Sequence, residues 1–371
     1  MKIGSKPFKE IWREKRVRFC ILPLASAIVG FSILSQILYP YLIDYLDESS
    51  RYWIFKKKQP YKKQNYSLGI FGDSQWISGL DLSELEKSSG VPQEEILVYA
   101  LPSMQPEGIE LTLGEILEAG VQFETVWINL SPTSTIQNTV FETYLRLESQ
   151  FGNNTFRIFK NSRLRKMYFK NSTELMHAIA SQIFPLIKIN SGISSTTRLL
   201  PIREEDWAQS KDLETRLGPS TWGLLRKRKN ENLKMLSEFG DQGIWTWKGY
   251  DTQGCRKEPL LDLDPNLKLS FSRERKDWKE SLVGIENLVQ SKFVVFWIPY
   301  SDPMEEITEL FGEIWERESD LAQNRSTTRS KFIRIPREIF QNADFQDYTH
   351  FNKCGATKLS RWLGTYYRTN L

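Results

Sequence analysis

A serine hydroxyl is too weak a nucleophile to attack an ester unaided. It needs a base to take its proton and a carboxylate to orient that base. Two short segments of this chain supply those three parts. Ile70-Phe71-Gly72-Asp73-Ser74 is an apolar run ending in a Gly-Asp-Ser turn. Asp347-Tyr348-Thr349-His350 lies near the C-terminus, followed by Asn352 and a helix-like stretch from Gly355 to Leu363. The chain has only 2 histidines, and one of them stands here. Asp347 precedes His350 by three, a spacing that puts both side chains on one side of a tight or helical turn. The expected roles are Ser74 as nucleophile, His350 as base and Asp347 as orienter. The backbone N–H of Ser74 is a candidate donor to a developing oxyanion.

These segments must be brought together by the elements around them. Leu68–Phe71, Ile96–Ala100 and Thr125–Leu130 read as short strands. Ser83–Ser89, stopped by Gly90, and Pro106–Ala119, started by Pro106 and stopped by Gly120, read as helices. The alternation β-α-β-α-β implies a parallel sheet covered by helices. The rhythm returns with a helix at Trp278–Gln290, a strand at Phe293–Ile298, a helix at Met304–Glu318 and a strand at Phe332–Ile335. In such sheets ligands bind beyond the carboxyl ends of the strands. Ser74 follows the first strand and the Asp-His segment follows the last, so both are expected at one rim.

Between the two halves, roughly residues 135–275, lies a stretch with basic helical segments (Arg163 to Lys170, Arg226 to Lys234) and an aromatic piece, Trp245 to Gly254. It reads as a mainly helical insertion or cap. Its basic clusters suit solvated helix faces, or phosphate head groups and anionic glycans. Trp245, Trp247 and Tyr250 suit a strand core or stacking on sugar rings. His177 falls in a helix-like stretch and reads as structural.

The 50 basic and 46 acidic residues nearly cancel, so the net charge of +4 gives no argument for nucleic acid. Phe19 to Ile43 contains no charged side chain, enough to cross a bilayer as a helix. Lys2, Lys6, Lys9, Arg13, Lys15, Arg16 and Arg18 precede it against Glu10 and Glu14, a flank that favours the cytoplasmic side. A cleaved signal peptide and a buried core helix are the competing readings. Ala25-Ser26-Ala27 imitates a cleavage site but sits inside the apolar run. The organisation expected is a basic tail (1–18), a transmembrane anchor (19–43), a linker (44–64), two halves of one α/β core (65–134 and 276–371) and the insertion (135–275). The chain would be single-pass in the cytoplasmic (inner) membrane, with the C-terminal domain facing the periplasm or outside. Of the 3 cysteines, Cys255 and Cys354 would then share an oxidising compartment, where they could pair. No Cys/His spacing suits a metal, and neither a phosphate loop nor a dinucleotide fingerprint occurs, so no cofactor is expected.

The Gly-Asp-Ser turn after a first strand and the late Asp-x-x-His before a terminal helix resemble the SGNH/GDSL hydrolases. The resemblance covers Ser67 to Leu130 and Phe293 to Leu363 and leaves the insertion outside. With its apolar N-terminus the chain is similar to the membrane-anchored envelope branch, which includes the D-alanyl transfer protein of teichoic acid biosynthesis and acetyltransferase-like proteins of alginate export, and to a spirochaete family of anchored SGNH-like proteins. The resemblance implies a flavodoxin-like three-layer sandwich and an esterase or O-acyltransferase acting on a cell-envelope glycan or lipid, with a polysaccharide or an acyl-donor membrane protein as partner. It also implies oxyanion donors from a second and a third block. Leu101-Pro102-Ser103-Met104 places Ser103 where the family has a glycine, and Asn129 is the asparagine nearest the third block, lying within its strand. A fold of this family that binds a glycan or a partner without catalysis is the other function these departures allow.

Overall fold

The computed structural model describes residues 15–42, 61–101, 104–135, 154–169, 172–185, 237, 244, 277–302, 309–324 and 330–370. Five strands form one sheet: β1 (Asn65–Gly72), β2 (Ile96–Ala100), β3 (Gln122–Leu130), β4 (Lys292–Trp297) and β5 (Ser330–Arg334). The order is β2-β1-β3-β4-β5, and every neighbouring pair is parallel. The order reverses at β1, so the carboxyl ends of β1 and β3 flank a switch point, where a crevice opens in sheets of this kind.

The strands read as unbroken apolar runs because both faces are buried. On one face Phe71, Tyr99, Ile128, Val295 and Trp297 meet three helices. These are α4 (Pro106–Glu118), α8 (Asp277–Leu288) and α9 (Glu309–Asn324), with Ile109, Leu113, Trp278, Ile285, Phe311 and Trp315 turned inward. On the other face Leu68, Ile70, Val98, Trp127 and Phe296 meet α2 (Ser74–Gly79), α3 (Leu82–Ser89) and α10 (Lys353–Asn370). Each fully buried side chain of this size contributes about 1.5–3 kcal/mol relative to exposure. β1 and β3 start three residues earlier than their apolar runs suggest. Asn65 and Gln122 pair in register across the gap, and Tyr66 stacks on Phe123, so backbone pairing extends the strands past the apolar signal.

The C-terminal half fastens the rim. After β5 the chain crosses to Phe340, Phe345 and Phe351, whose rings pack together in the core. Phe345 and Phe351 also form an antiparallel bridge, which closes the intervening residues into a tight loop. Asn352 then starts α10, its side-chain oxygen accepting from the N–H groups of Cys354 and Gly355. α10 packs along α3, where the Asp81 N–H donates to Ser360 Oγ at 2.8 Å and Lys353 pairs with the Asp81 carboxylate.

Helix α1 (Lys15–Leu42) contains the run Ile21–Tyr39, 19 residues long and apolar enough to cross a membrane by length and composition. Tyr39 packs against the core cluster that α4, α8 and α9 cover. In the expected insertion the described parts include three helices, α5 (Asn154–Lys160), α6 (Ser162–Tyr168) and α7 (Ser172–Ile183), and Ile244, buried in the core. His177 lies half-buried on α7. Arg226 to Lys234, Trp245, Trp247, Tyr250 and Cys255 lie outside the described residues, as do the basic tail before Lys15 and Ser103. Cys354 is disulfide-bonded.

Gly355 is where the fold meets the rim loop. A Cβ there would press into the backbone oxygen of Asp344 and the Phe351 ring, and the oxygen cannot swing aside. Gly355→Ala is expected to cost about 1–3 kcal/mol by overpacking. A urea titration of the full chain in detergent checks this, as a lower midpoint with unchanged slope.

Candidate active site

Asp73 caps α2, and its side chain accepts from the Gln75 N–H at 2.9 Å. Ser74 is therefore the first residue of that helix, half-exposed at the carboxyl end of β1. The Trp76 N–H goes to the Asp73 carbonyl. The Ser74 N–H uses neither of these acceptors, as expected of the first donor of a helix.

His350 arrives from the loop that Phe345 and Phe351 close. Its Nε2 lies 2.7 Å from Ser74 Oγ, across 276 residues of sequence. Its Nδ1 lies 2.8 Å from Asp347 Oδ2 and 3.0 Å from Oδ1. Asp347 is itself fixed by the backbone: Oδ1 accepts from the N–H groups of Thr349 and His350, both at 2.8 Å. The Gln346 N–H donates to the His350 carbonyl at 2.7 Å. The loop is tied to the exit of β4, where Ser301 donates to the Tyr348 carbonyl from both its N–H and its hydroxyl. With Asp347 accepting at Nδ1–H, the imidazole is held in the tautomer whose Nε2 accepts from a hydroxyl. Ser74, His350 and Asp347 thus form a continuous hydrogen-bonded chain.

The electrostatics follow from these contacts. Partial removal from water works against the charge on Asp347. The hydrogen bond and charge of His350 and the two N–H donors outweigh it, and hold the carboxyl at about 2. For His350 desolvation again opposes charge. The Asp347 hydrogen bond and charge, with a smaller contribution from Asp73, overcome it and raise the imidazole above its ordinary 6.5. Asp347 is ionised at neutral pH, and His350 is a stronger base than a free imidazole.

The motif's own aspartate is the residue that sequence reasoning left without a role. Asp73 is 4% exposed. Burial pushes its carboxyl up, against hydrogen bonds from Gln75, Asn129 and Ser131 and the charge of His350. Asn129, at the carboxyl end of β3, donates Nδ2–H to Asp73 Oδ1 at 2.8 Å and to Gln75 Oε1 at 3.3 Å. Its Oδ1 accepts the Asp73 N–H at 3.2 Å. The Asn129 amide, expected as an oxyanion donor, thus makes its hydrogen bonds to the Asp73 turn. Gln75 extends the tie to β4 through the Ile298 carbonyl at 3.3 Å. Buried Tyr300 also adjoins Asp73, whose negative charge adds to burial in raising the phenol. The register brings this about: Phe71 pairs with Ile128, so the next residues, Gly72 and Asn129, face each other where the strands end. Gly72, at φ +154°, has no room for a Cβ beside the Asn129 amide. Of the oxyanion donors expected, Ser74 and Asn129 are described and Ser103 lies outside the described residues. Among the described residues no group of three or more His, Cys, Asp and Glu side chains is placed to hold a metal ion.

Two measurements probe this arrangement. With two histidines in the chain, imidazole NMR titration reads each separately. His350 should titrate above 6.5, and Asp347→Asn should bring it down by removing both the acceptor and the charge. Asn129→Ala strips a partner from buried Asp73 and should cost about 1–3 kcal/mol. Because the folded state already resists the Asp73 charge, the deficit should be smallest in acid, where the carboxyl is protonated folded and unfolded alike. It should grow as pH rises to neutrality; urea titrations at both pH values check the sign.

Compared with protein-family models and with curated protein sequences, the chain matches none.

Proposed function

We propose that this chain is a membrane-anchored serine esterase or O-acyltransferase of SGNH-like type, working through an acyl-serine on a cell-envelope glycan or lipid. The observation that carries the reading is the 2.7 Å contact from Ser74 Oγ to His350 Nε2, backed by Asp347 at 2.8 Å. A base within about 2.6–3.2 Å of the proton it removes has the geometry of catalysis. The strand order 2-1-3-4-5 is the flavodoxin-like order, and helices pack on both faces. Both agree with the three-layer fold that the Gly-Asp-Ser and Asp-x-x-His resemblance implies.

The steps follow from the atoms. His350 Nε2 takes the Ser74 proton as Oγ bonds to the acyl carbon. The Ser74 N–H stabilises the charge on the carbonyl oxygen. When the tetrahedral intermediate collapses, His350 returns the proton to the departing alcohol, and Asp347 stabilises the imidazolium in between. In the second half His350 takes a proton from water or an acceptor hydroxyl as that oxygen bonds to the acyl carbon, and returns it to Ser74 Oγ as the acyl–serine bond breaks. Water gives hydrolysis, and a sugar or lipid hydroxyl gives transfer. The apolar run Ile21–Tyr39 supports an anchor, and the basic residues ahead of it support a C-terminal domain outside the cytoplasmic membrane.

A second reading is a binding protein that keeps the fold without the reaction. The commitment of Asn129 to Asp73 and Gln75 favours it, since that leaves fewer oxyanion donors. A fluorophosphonate probe separates the two. For the enzyme, wild type is labelled and Ser74→Ala is not. Hydrolysis of p-nitrophenyl acetate should fall by about 10⁴-fold or more in Ser74→Ala. Wild-type activity should rise with pH through the His350 ionisation, above 6.5, because the protonated ring cannot accept the serine proton. No labelling and no hydrolysis by the wild type would leave the binding reading.

A further inference from the structure

Helices of a water-soluble domain turn their apolar stripe inward. Helix α7 does the reverse. Met176, Ile179 and Ile183 recur at helical spacing and are exposed, Met176 at 63%, whereas Ala178 and Ser181 are buried. Helix α5 repeats the pattern: Ile158 is buried while Phe156 and Phe159 are exposed, Phe156 at 60%. Met176, Ile179 and Ile183 belong to the helix that meets the candidate anchor, and α5 packs on that helix, where Gln182 Nε2 donates to Thr155 Oγ1 at 2.8 Å. Ser32 Oγ of α1 donates to the Ile183 carbonyl at 2.7 Å, Gln36 Nε2 donates to the Gln182 carbonyl at 3.3 Å, and Phe31 packs against Phe184. The last carbonyls of α7, which have no partners inside their own helix, are thus answered by side chains of the apolar helix.

The level of this contact is informative. Ser32 lies seven residues before Tyr39, and at 1.5 Å per residue that is about 10 Å inside the end of the apolar run. Gln36 lies about 4–5 Å inside by the same measure. Helices that lie in a membrane interface bury their apolar face about 5–10 Å deep. The end of α7 is at that depth, and hydrogen bonds from Ser32 and Gln36 are what backbone carbonyls need where water is scarce. Charge fits as well. Asn154 to Phe169 holds five basic residues and no acidic one. Arg157 and Arg163 are paired inward with Glu118 and Glu110. Lys160, Arg165 and Lys166 are exposed and make no ion pair among the described residues.

We infer that α5, α6 and α7 form a collar that dips into the non-cytoplasmic leaflet beside the anchor. Phe156, Phe159, Met176, Ile179 and Ile183 enter the acyl chains, and Lys160, Arg165 and Lys166 meet the headgroup phosphates. The inference rests on α1 spanning the membrane. It seats the α/β domain against the bilayer at a second place, so the Ser74 rim works at a fixed distance from the lipid surface rather than on a free tether.

Spin labels on the full chain test this in phospholipid nanodiscs, in a Cys20→Ala background. Single labels are placed through Met176→Cys, Phe159→Cys, Val29→Cys and Glu94→Cys, all at exposed positions where the fold tolerates them. Collisions with oxygen, which concentrates in hydrocarbon, are compared with collisions with a water-soluble nickel chelate. The expected result is oxygen dominance at Met176, Phe159 and Val29 and nickel dominance at Glu94. Oxygen dominance at Val29 with nickel dominance at Met176 and Phe159 overturns the collar and leaves the anchor. Nickel dominance at Val29 overturns the anchor, and the collar with it.

Discussion

All five strands run parallel, and that constraint governs where everything else can be. A parallel neighbour can be reached only by a crossover, so every strand ends at the same rim of the sheet. Residues distant in sequence become neighbours there: Ser74 after β1, Asn129 at the end of β3, Ser301 beyond β4 and the loop of Asp347 and His350 beyond β5. The hydrogen bond between Ser74 and His350 is a consequence of this pairing. It still needs the last stretch placed accurately, because β5 ends well before His350. The Phe340, Phe345 and Phe351 cluster and the Phe345–Phe351 bridge do that, with Ser301 holding the Tyr348 carbonyl from below.

Beneath the reactive chain lies a second polar network that is costlier to maintain. A carboxylate as buried as Asp73 is disfavoured unless its oxygens are satisfied. Gln75, Asn129 and Ser131 supply donors, and Asn129 also takes the Asp73 N–H. The outcome is a turn fixed from two strands at once, with Gly72 small enough to let the Asn129 amide approach. The two carboxylates at the rim therefore differ in character. Asp347 is kept ionised by its partners, whereas burial pushes Asp73 toward the neutral form. Asp347 touches His350 directly, and Asp73 acts on Ser74 only through the start of α2.

Much of this was legible in the sequence. Ile96–Ala100 is a strand with the bounds its apolar run gives, and Phe293–Ile298 is displaced by one residue, because runs buried on both faces carry their own boundaries. The Asp-x-x-His spacing brought Asp347 and His350 together in the tight one of the two turns it allowed, stabilised by Asp347 itself. The task of Asn129 was not legible. Its amide is directed by Asp73, 56 residues away in sequence, and only the register of β1 against β3 makes them neighbours. Helix α2 was missed because Gly-Asp-Ser reads as a turn, and the helix exists only once Asp73 caps it. The outward apolar stripe of α7 was concealed for a related reason. The stretch reads as helix-like, but only packing shows which way the helix is rotated.

That rotation bears on how the rim could be used. An anchor alone restricts a domain to the neighbourhood of a membrane, yet leaves its orientation to a linker. Contacts from Ser32 and Gln36 to the end of α7, and from Tyr39 to the core cluster, couple the α/β domain to α1 without relying on residues 43–60. If the proposed collar holds the domain at two places, it has fewer orientations to lose on meeting an envelope-bound acceptor. The entropy cost of aligning Ser74 with such an acceptor is then partly met by the fold itself. A serine, a histidine and an aspartate suffice for attack on soluble esters. Under the proposed function, two-point seating would matter for acceptors confined to the bilayer or to the glycan just above it.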